Sequence, residues 1–157
     1  MRRSTLAASV VLACAAAATS AGGAAFAAQA PAAAGTPCST TQTIQISSLI
    51  FQPPAVHPGQ TSTATATAVN CTAQTQQASV QWWGHFVSAT GTGIPPGCPA
   101  VDPLLLPLTL APFGSATSSV GYYVPPSCTA NAFIVTVEVL QNGKIVAQRN
   151  ATLIIEQ

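Results

Sequence analysis

The residues of this chain that could take part in acid–base, nucleophilic or metal chemistry are few and widely separated. The chain has only four basic and three acidic side chains and two histidines, and two of the basic residues are Arg2 and Arg3. General acid–base and nucleophilic catalysis need such groups close together. The sequence therefore predicts a protein that is not an enzyme, with no catalytic, cofactor-binding or metal-binding residues. The remaining ionisable groups are His57, His85, Asp102, Glu138, Lys144, Arg149 and Glu156.

The clearest covalent chemistry belongs to four cysteines: Cys38, Cys71, Cys98 and Cys128. They have neither C-x-x-C nor Cys/His ligand spacing, so a metal site is disfavoured. An even number of cysteines in an exported chain indicates two disulfides. If the flanking strands run antiparallel, Cys38 lies beside Cys71 and Cys98 beside Cys128. We predict these two pairings.

The N-terminal residues predict export. Residues 1–27 combine the basic start, an apolar run from Leu6 to Ala18 and a small-x-small cleavage site that ends at Ala27. An alternative is lipid anchoring at Cys14, because the residues before it resemble a lipoprotein cleavage box. The apolar stretch before Cys14 is only about seven residues, which favours secretion. No later segment has the length and apolar character of a spanning helix.

The rest of the chain is the size of one domain. We expect an Ala/Pro-rich flexible segment over residues 28–37 and one folded domain over residues 38–157. The whole chain has a formal net charge of only +1. This charge is too small for a nucleic-acid-binding protein. The alanine-rich, lysine-poor composition is typical of a bacterial protein.

The folded domain shows no helical repeat, and runs with strand character recur between prolines and glycines. Seven such strands predict an all-β, antiparallel immunoglobulin-like β-sandwich. Asn142-Gly143 tolerates the positive φ angles of a type I′ turn, so the last two strands form a hairpin. The predicted strands are residues 43–51, 60–70, 79–87, 104–110, 115–124, 132–140 and 144–155.

Alternation along the third strand separates its side chains into two faces. The inner set is Val80, Trp82 and Phe86, and Trp82 is the predicted core tryptophan. The alanines of the second strand (Ala64, Ala66 and Ala68) leave room for it. The outer set is Gln81, Trp83 and His85.

The register of the last hairpin contains a conflict. A two-residue turn pairs Val137 with Gln148, which sets an apolar face against a polar one. Either a β-bulge shifts the last strand or that strand is a half-exposed edge. In the unshifted register Arg149 lies diagonal to Glu138, which predicts a surface ion pair of little energetic weight.

Two segments resemble known bacterial modules. Pro58-Gly59-Gln60-Thr61, with Val69-Asn70 at the end of that strand, is similar to the second strand of immunoglobulin-like modules of the CARDB and fibronectin-III kind, and the Asn142-Gly143-Lys144 hairpin is similar to theirs. The resemblance implies an adhesion, ligand-presenting or spacer role without shared catalytic residues. The chain departs from these modules in its two predicted disulfides and in the Gly/Pro-rich insert, residues 91–103.

Two candidate binding surfaces follow. Gln81, Trp83, His85 and Tyr123 form a candidate ligand surface, because an exposed aromatic ring beside hydrogen-bonding groups suits a sugar. The alternative is that Trp83 packs beneath a loop.

The second candidate surface is a partner loop formed by Pro99, Ala100, Val101 and Asp102. Residues 98–105 resemble the reactive loop of the Streptomyces subtilisin inhibitors, which implies Ala100 as the specificity residue. The alternative is a braced crossover loop.

These features predict a secreted, non-catalytic binding or structural module of the bacterial cell surface or exterior. Its partner would be a polysaccharide, a cell-wall component or an extracellular protein. Three hypotheses stay open: a carbohydrate- or wall-binding module that uses Trp83, a protease inhibitor that uses residues 98–103, and a structural envelope protein.

Overall fold

The computed structural model describes Cys38, residues 41–89 and residues 93–157. The predicted signal peptide (residues 1–27, with Cys14) and the predicted flexible segment (residues 28–37) lie outside them. The described residues form eight β-strands and no helix, so they contain no helix that could cross a membrane. The strands are β1 (Ile44–Gln52), β2 (Ala55–Val56), β3 (Thr61–Asn70), β4 (Gln76–Val87), β5 (Leu104–Leu110), β6 (Ser115–Tyr123), β7 (Ala132–Gln141) and β8 (Lys144–Ile155).

The strands form two sheets. The three-stranded sheet has the order β1-β3-β6, and the five-stranded sheet has the order β2-β8-β7-β4-β5. The all-β prediction is confirmed, and all seven predicted strands are present, although β4 begins at Gln76 and not at residue 79.

The expectation of purely antiparallel sheets is wrong at β2, which runs parallel to β8. The sequence assigned this segment to a turn. Val56 is buried, and the backbone around it pairs with the end of β8: the Ile154 N–H donates to the Pro54 carbonyl (3.1 Å) and the Glu156 N–H to the Val56 carbonyl (2.9 Å). This pairing partner lies far along the chain, so local sequence pattern does not reveal it.

One hydrophobic core lies between the two sheets. The inner set of β4 faces it as predicted, and Trp82 is only 1% exposed. Its indole N–H donates to the Ser118 hydroxyl of β6 at 3.2 Å, which links the two sheets. The predicted alanine stripe of β3 is also buried, at Ala64, Ala66 and Ala68.

The β7–β8 hairpin has the predicted turn, with positive φ at Asn142 (49°) and Gly143 (74°). The register shifts between Val139 and Leu140, which leaves Val146 as a bulge residue. The bulge removes most of the predicted conflict, because Val135 now lies opposite Ala151 and Val139 lies opposite Ala147. Val137 lies opposite Arg149, and Glu138 lies opposite Gln148.

The same shift removes the predicted ion pair between Arg149 and Glu138. Moving the register by one residue turns Arg149 to the other face of the sheet. Its guanidinium Nη1 donates instead to the carbonyls of Ile46 (3.1 Å) and Ser47 (2.9 Å), at a bulge in β1. Arg149 therefore connects the two sheets at their β1/β8 side.

Both predicted disulfides are present, with the predicted pairing. Cys38 bonds to Cys71, which follows β3, and Cys98 bonds to Cys128, which precedes β7. The sequence separations are 33 and 30 residues. Each crosslink of this length contributes about 3–4 kcal/mol to stability in the chain-entropy treatment.

The sequence did not predict the role of Asn70, which is fully buried at the end of β3. Its amide Nδ2 donates to the carbonyls of Gln74 (2.7 Å) and Ala111 (2.8 Å). Its Oδ1 accepts from the backbone N–H (2.9 Å) and the hydroxyl (2.8 Å) of Thr72. One side chain thus fixes both the β3–β4 turn and the β5–β6 turn.

Candidate functional site

The outer face of the five-stranded sheet contains three of the four residues of the predicted ligand surface. Alternation along β4 directs Gln81, Trp83 and His85 away from the core, because Trp82 and Phe86 point into it. Trp83 is 44% exposed, so its indole ring is accessible to a ligand. His85 is also exposed, and Gln81 is half-buried.

Trp83 lines a surface pocket of about 280 Å³. We call it the Trp83 pocket. Its floor comes from β4, β7 and β8, and one wall comes from the insert before β5. The pocket therefore joins the two surfaces that the sequence analysis treated separately. The lining residues are Trp83, Gly84, His85, Val101, Pro103, Thr136 and Gln148.

The insert wall is fastened to the segment that precedes β7. The Cys98–Cys128 disulfide provides the covalent link. The Pro96 carbonyl accepts from both the backbone N–H (3.1 Å) and the hydroxyl (3.2 Å) of Thr129. These contacts hold the insert in place beside the sheet, so the pocket has a fixed wall.

The four residues of the predicted partner loop differ in their surroundings. Pro99, Ala100 and Asp102 are exposed, whereas Val101 is half-buried and packs against the hydrophobic core. Val101 also lines the Trp83 pocket, whereas the adjacent Ala100 and Asp102 are exposed to solvent.

Tyr123 does not belong to the same surface as Trp83. It ends β6 in the three-stranded sheet, where Tyr122 points into the core and Tyr123 points away from it, 52% exposed. Trp83 and Tyr123 consequently lie on the outer faces of different sheets. The sequence could not separate them, because it did not show which sheet contains β6.

Glu138 occupies an unusual position on the outer face beside the Trp83 pocket. It lies between Gln81 on β4 and Gln148 on β8 in register, and it is only 5% exposed. No hydrogen bond or ion pair to its carboxylate exists within the described residues. Sequence reasoning missed this position, because it assigned Glu138 to an ion pair with Arg149.

A second pocket of about 420 Å³ lies at the other end of the same outer face, next to the β7–β8 turn. Its apolar wall includes Leu105 of the edge strand β5, which is 60% exposed. The lining residues are Gln77, Ala78, Ser79, Leu105, Leu140, Asn142 and Gly143.

His57 has a partner close to the C-terminal end of β8. Its Nε2 lies 3.4 Å from a carboxylate oxygen of Glu156, and its Nδ1 lies 2.9 Å from the Glu156 carbonyl. Both side chains are exposed, and they join the turn after β2 to the end of β8. This contact is remote from Trp83 and lines neither of the two pockets.

The ionisable groups near the Trp83 pocket do not form a catalytic pair. Glu138 and His85 share the outer face, but Glu138 is in register with Gln81, about 13 Å along β4 from His85. Within the residues that the structure describes, no three His, Cys, Asp or Glu side chains are close enough to hold a metal ion. The pocket instead offers an aromatic surface beside neutral hydrogen-bonding groups.

No family model matches this chain, and no curated protein matches it. Several solved structures share its fold at low sequence identity. A cycloisomaltooligosaccharide glucanotransferase from Paenibacillus sp. matches 73% of the chain with a TM-score of 0.54 and 9% identity. A Pseudomonas fluorescens alkylpurine DNA glycosylase bound to DNA matches 74% with a TM-score of 0.53 and 15% identity.

The sporulation control protein of Bacillus subtilis matches 73% of the chain with a TM-score of 0.50 and 13% identity. The matched regions cover 14%, 31% and 50% of the glucanotransferase, the glycosylase and the sporulation protein. The chain thus spans half or less of each of these proteins. At such identities the likeness shows a shared fold and no shared activity.

Proposed function

We propose that this protein is a secreted, non-catalytic carbohydrate-binding module of the bacterial cell exterior, and that Trp83 is the centre of its binding site. The observation that carries the proposal is the exposed indole ring of Trp83 in a pocket with a fixed wall. A carbohydrate-binding function at this residue requires that exposure.

The composition of the pocket suits a neutral sugar. An indole ring packs on the C–H face of a pyranose, and polar neighbours fix its hydroxyl groups. His85, Thr136 and Gln148 supply such groups around Trp83. None of the residues that line the pocket is a lysine, arginine, aspartate or glutamate, and this lining favours a neutral ligand.

The covalent structure supports the proposed extracellular compartment. Two disulfides are typical of proteins that fold in an oxidising environment, such as the exterior of a bacterial cell. The predicted signal peptide, residues 1–27, fits the same compartment. Secretion places the Trp83 pocket where wall and extracellular polysaccharides are present.

An immunoglobulin-like module is the fold type that we propose. Two sheets around one core, the proline- and glycine-rich entry to β3 and the closing hairpin support it. Modules of the CARDB and fibronectin-III kind present ligands or act as spacers. A role of this kind agrees with the wide separation of the ionisable groups.

Protease inhibition is a second candidate, supported by the exposure of Ala100 on a disulfide-braced loop. A loop held in this way loses little entropy on binding. Incubation with subtilisin tests it. Inhibition of subtilisin would support this function if the loop stays uncleaved and if Ala100→Arg changes the strength of inhibition. Rapid cleavage after Ala100 would exclude it.

Two-dimensional NMR of the ¹⁵N-labelled protein tests the carbohydrate proposal directly. The chain has two tryptophans, and Trp82 is the internal control because its indole N–H is buried and bonded to Ser118. Titration with soluble oligosaccharides of cellulose, chitin and starch should shift the Trp83 indole signal. Unchanged spectra with all three series would overturn the proposal.

A further inference from the structure

The two pockets belong to one surface. Trp83 and His85 line one pocket and Gln77 and Ser79 line the other, and all four alternate along the outer face of β4. At about 3.3 Å per residue, the distance from Gln77 to Trp83 is about 20 Å. This length exceeds what one sugar ring can cover.

Gln81, Glu138 and Gln148 form a row between the two pockets, which we call the central polar row. Gln81 pairs with Glu138, and Glu138 pairs with Gln148. Gln148 also lines the Trp83 pocket, and Leu105, which lines the second pocket, is in register with Gln81. The row therefore lies between the two pockets, and one of its residues, Gln148, lines the Trp83 pocket.

The hydrogen-bonding groups of the central polar row are unused within the described residues. Elsewhere on this sheet, glutamines are paired: Gln141 donates to Gln76 at 2.8 Å, and Thr109 donates to Gln77 at 2.8 Å. Every fully buried side-chain oxygen or nitrogen in the described part has a partner. The unpartnered Glu138 oxygens must therefore retain a small area that is open to this face.

A buried carboxylate without a donor is costly, and it gains most from a ligand that brings hydrogen-bond donors. A neutral polysaccharide brings several hydroxyl donors. It also carries no charge of its own that would need a partner of opposite charge in the two pockets. We infer that the ligand is a linear neutral polysaccharide that spans both pockets, and this inference rests on the proposed function. Between the two pockets, Glu138 accepts hydrogen bonds from the hydroxyl groups of the ligand.

Binding of oligosaccharides of one to six sugar units, measured by calorimetry, tests this inference. The series come from cellulose, chitin and starch. Affinity should rise with length until the chain reaches the second pocket. Glu138→Gln should weaken binding of the longest oligomer about tenfold or more, because the amide offers one acceptor oxygen in place of the two of the carboxyl group.

Two further variants locate the effect. Ser79→Leu should block the second pocket without adding an aromatic ring, and it should weaken binding of long oligomers while binding of the shortest one is unchanged. Glu156→Gln, an exposed carboxylate beyond β8, is the matched control and should leave all affinities unchanged. Thermal unfolding of each variant checks that the fold is retained.

The outcomes separate the two proposals. A single sugar that binds as tightly as the longest oligomer, with no effect of Ser79→Leu, would overturn the extended site and leave the Trp83 pocket as the site. No binding at any length would overturn both. If sedimentation shows a dimer that Ser79→Leu disrupts, this face binds a second copy of the chain and the extended site is overturned.

Discussion

Gly84 lies directly against the aromatic ring of Phe133. A Cβ added at Gly84 would come within 2.2 Å of the Phe133 Cζ atom. Phe133 cannot retreat, because it is fully buried and its ring centroid is 4.7 Å from those of Phe86 and Tyr122. The close approach of β4 to this ring therefore sets the position of Trp83 and His85 on the outer face.

Gly84→Ala should lower the free energy of unfolding by about 2 kcal/mol or more, because the added methyl overpacks the core. Urea denaturation measures the change. Gly121→Ala is the matched control, since its Cβ would meet only Thr61 Cγ2 at an ordinary 3.9 Å. That variant should stay within about 0.5 kcal/mol of the unmodified protein. Equal effects of the two substitutions would contradict the close packing at Gly84.

Asn70→Ala should destabilise the fold by about 3 kcal/mol. It leaves the buried carbonyls that the Asn70 amide satisfies without a donor, and it frees two turns. Asn150→Ala, on the exposed face of β8, is the control and should have little effect. Thermal and urea unfolding give both values. A small effect at Asn70 would mean that the two turns are held by other contacts.

Alkaline pH should destabilise the fold through Tyr122. Burial raises the pKa of its phenol from 10.0 to about 12. Because the folded state holds this proton more tightly than the unfolded chain, the stabilisation is complete below pH 10 and is lost as the pH rises towards 12. Unfolding free energies over this range should fall more steeply for the unmodified protein than for Tyr122→Phe. Parallel curves would rule out this contribution.

The two disulfides should differ in their effect on binding. Replacing both cysteines of either pair by alanine should lower stability by about 3–4 kcal/mol. Only loss of Cys98–Cys128 frees the insert that carries Val101 and Pro103, so only that variant should also bind polysaccharide more weakly. The Cys38/Cys71 variant is the control. Equal affinities at a temperature where both variants are folded would show that the insert wall is dispensable.

Features that depend on local pattern were predictable from the sequence. Alternation along β4 assigned Trp82 to the core and Trp83 to the outer face. Asn142-Gly143 predicted the turn between β7 and β8, because these two residues tolerate positive φ angles. Antiparallel pairing of neighbouring strands was enough to place Cys38 beside Cys71. In each case the physical cause acts within one strand or turn, or between two strands that are close in the sequence.

Features that depend on long-range register were not predictable. The bulge at Val146 decides that Gln148 shares the outer face with Glu138 and that Arg149 reaches β1, because a one-residue shift exchanges the two faces of β8. The conflict in the hairpin register showed only that either a bulge or an exposed edge was needed. The sheet to which β6 belongs decides that Tyr123 is remote from Trp83. The contact of Val101 with the Trp83 pocket depends on where the residues just before β5 lie beside β4. The last two arrangements leave no signal within a few residues of the chain.

The most direct test of the carbohydrate-binding site is depletion of the purified mature protein by insoluble cellulose, chitin, starch and isolated bacterial cell walls. Trp83→Ala and Tyr123→Ala are compared, because both remove an exposed aromatic ring, on the outer faces of different sheets. We predict that at least one polysaccharide retains the unmodified protein and Tyr123→Ala, and that Trp83→Ala loses this retention. The assignment of the Trp83 pocket as a carbohydrate site would be contradicted by either of two results. In the first, Trp83→Ala is retained as well as the unmodified protein, and in the second, no support retains the unmodified protein.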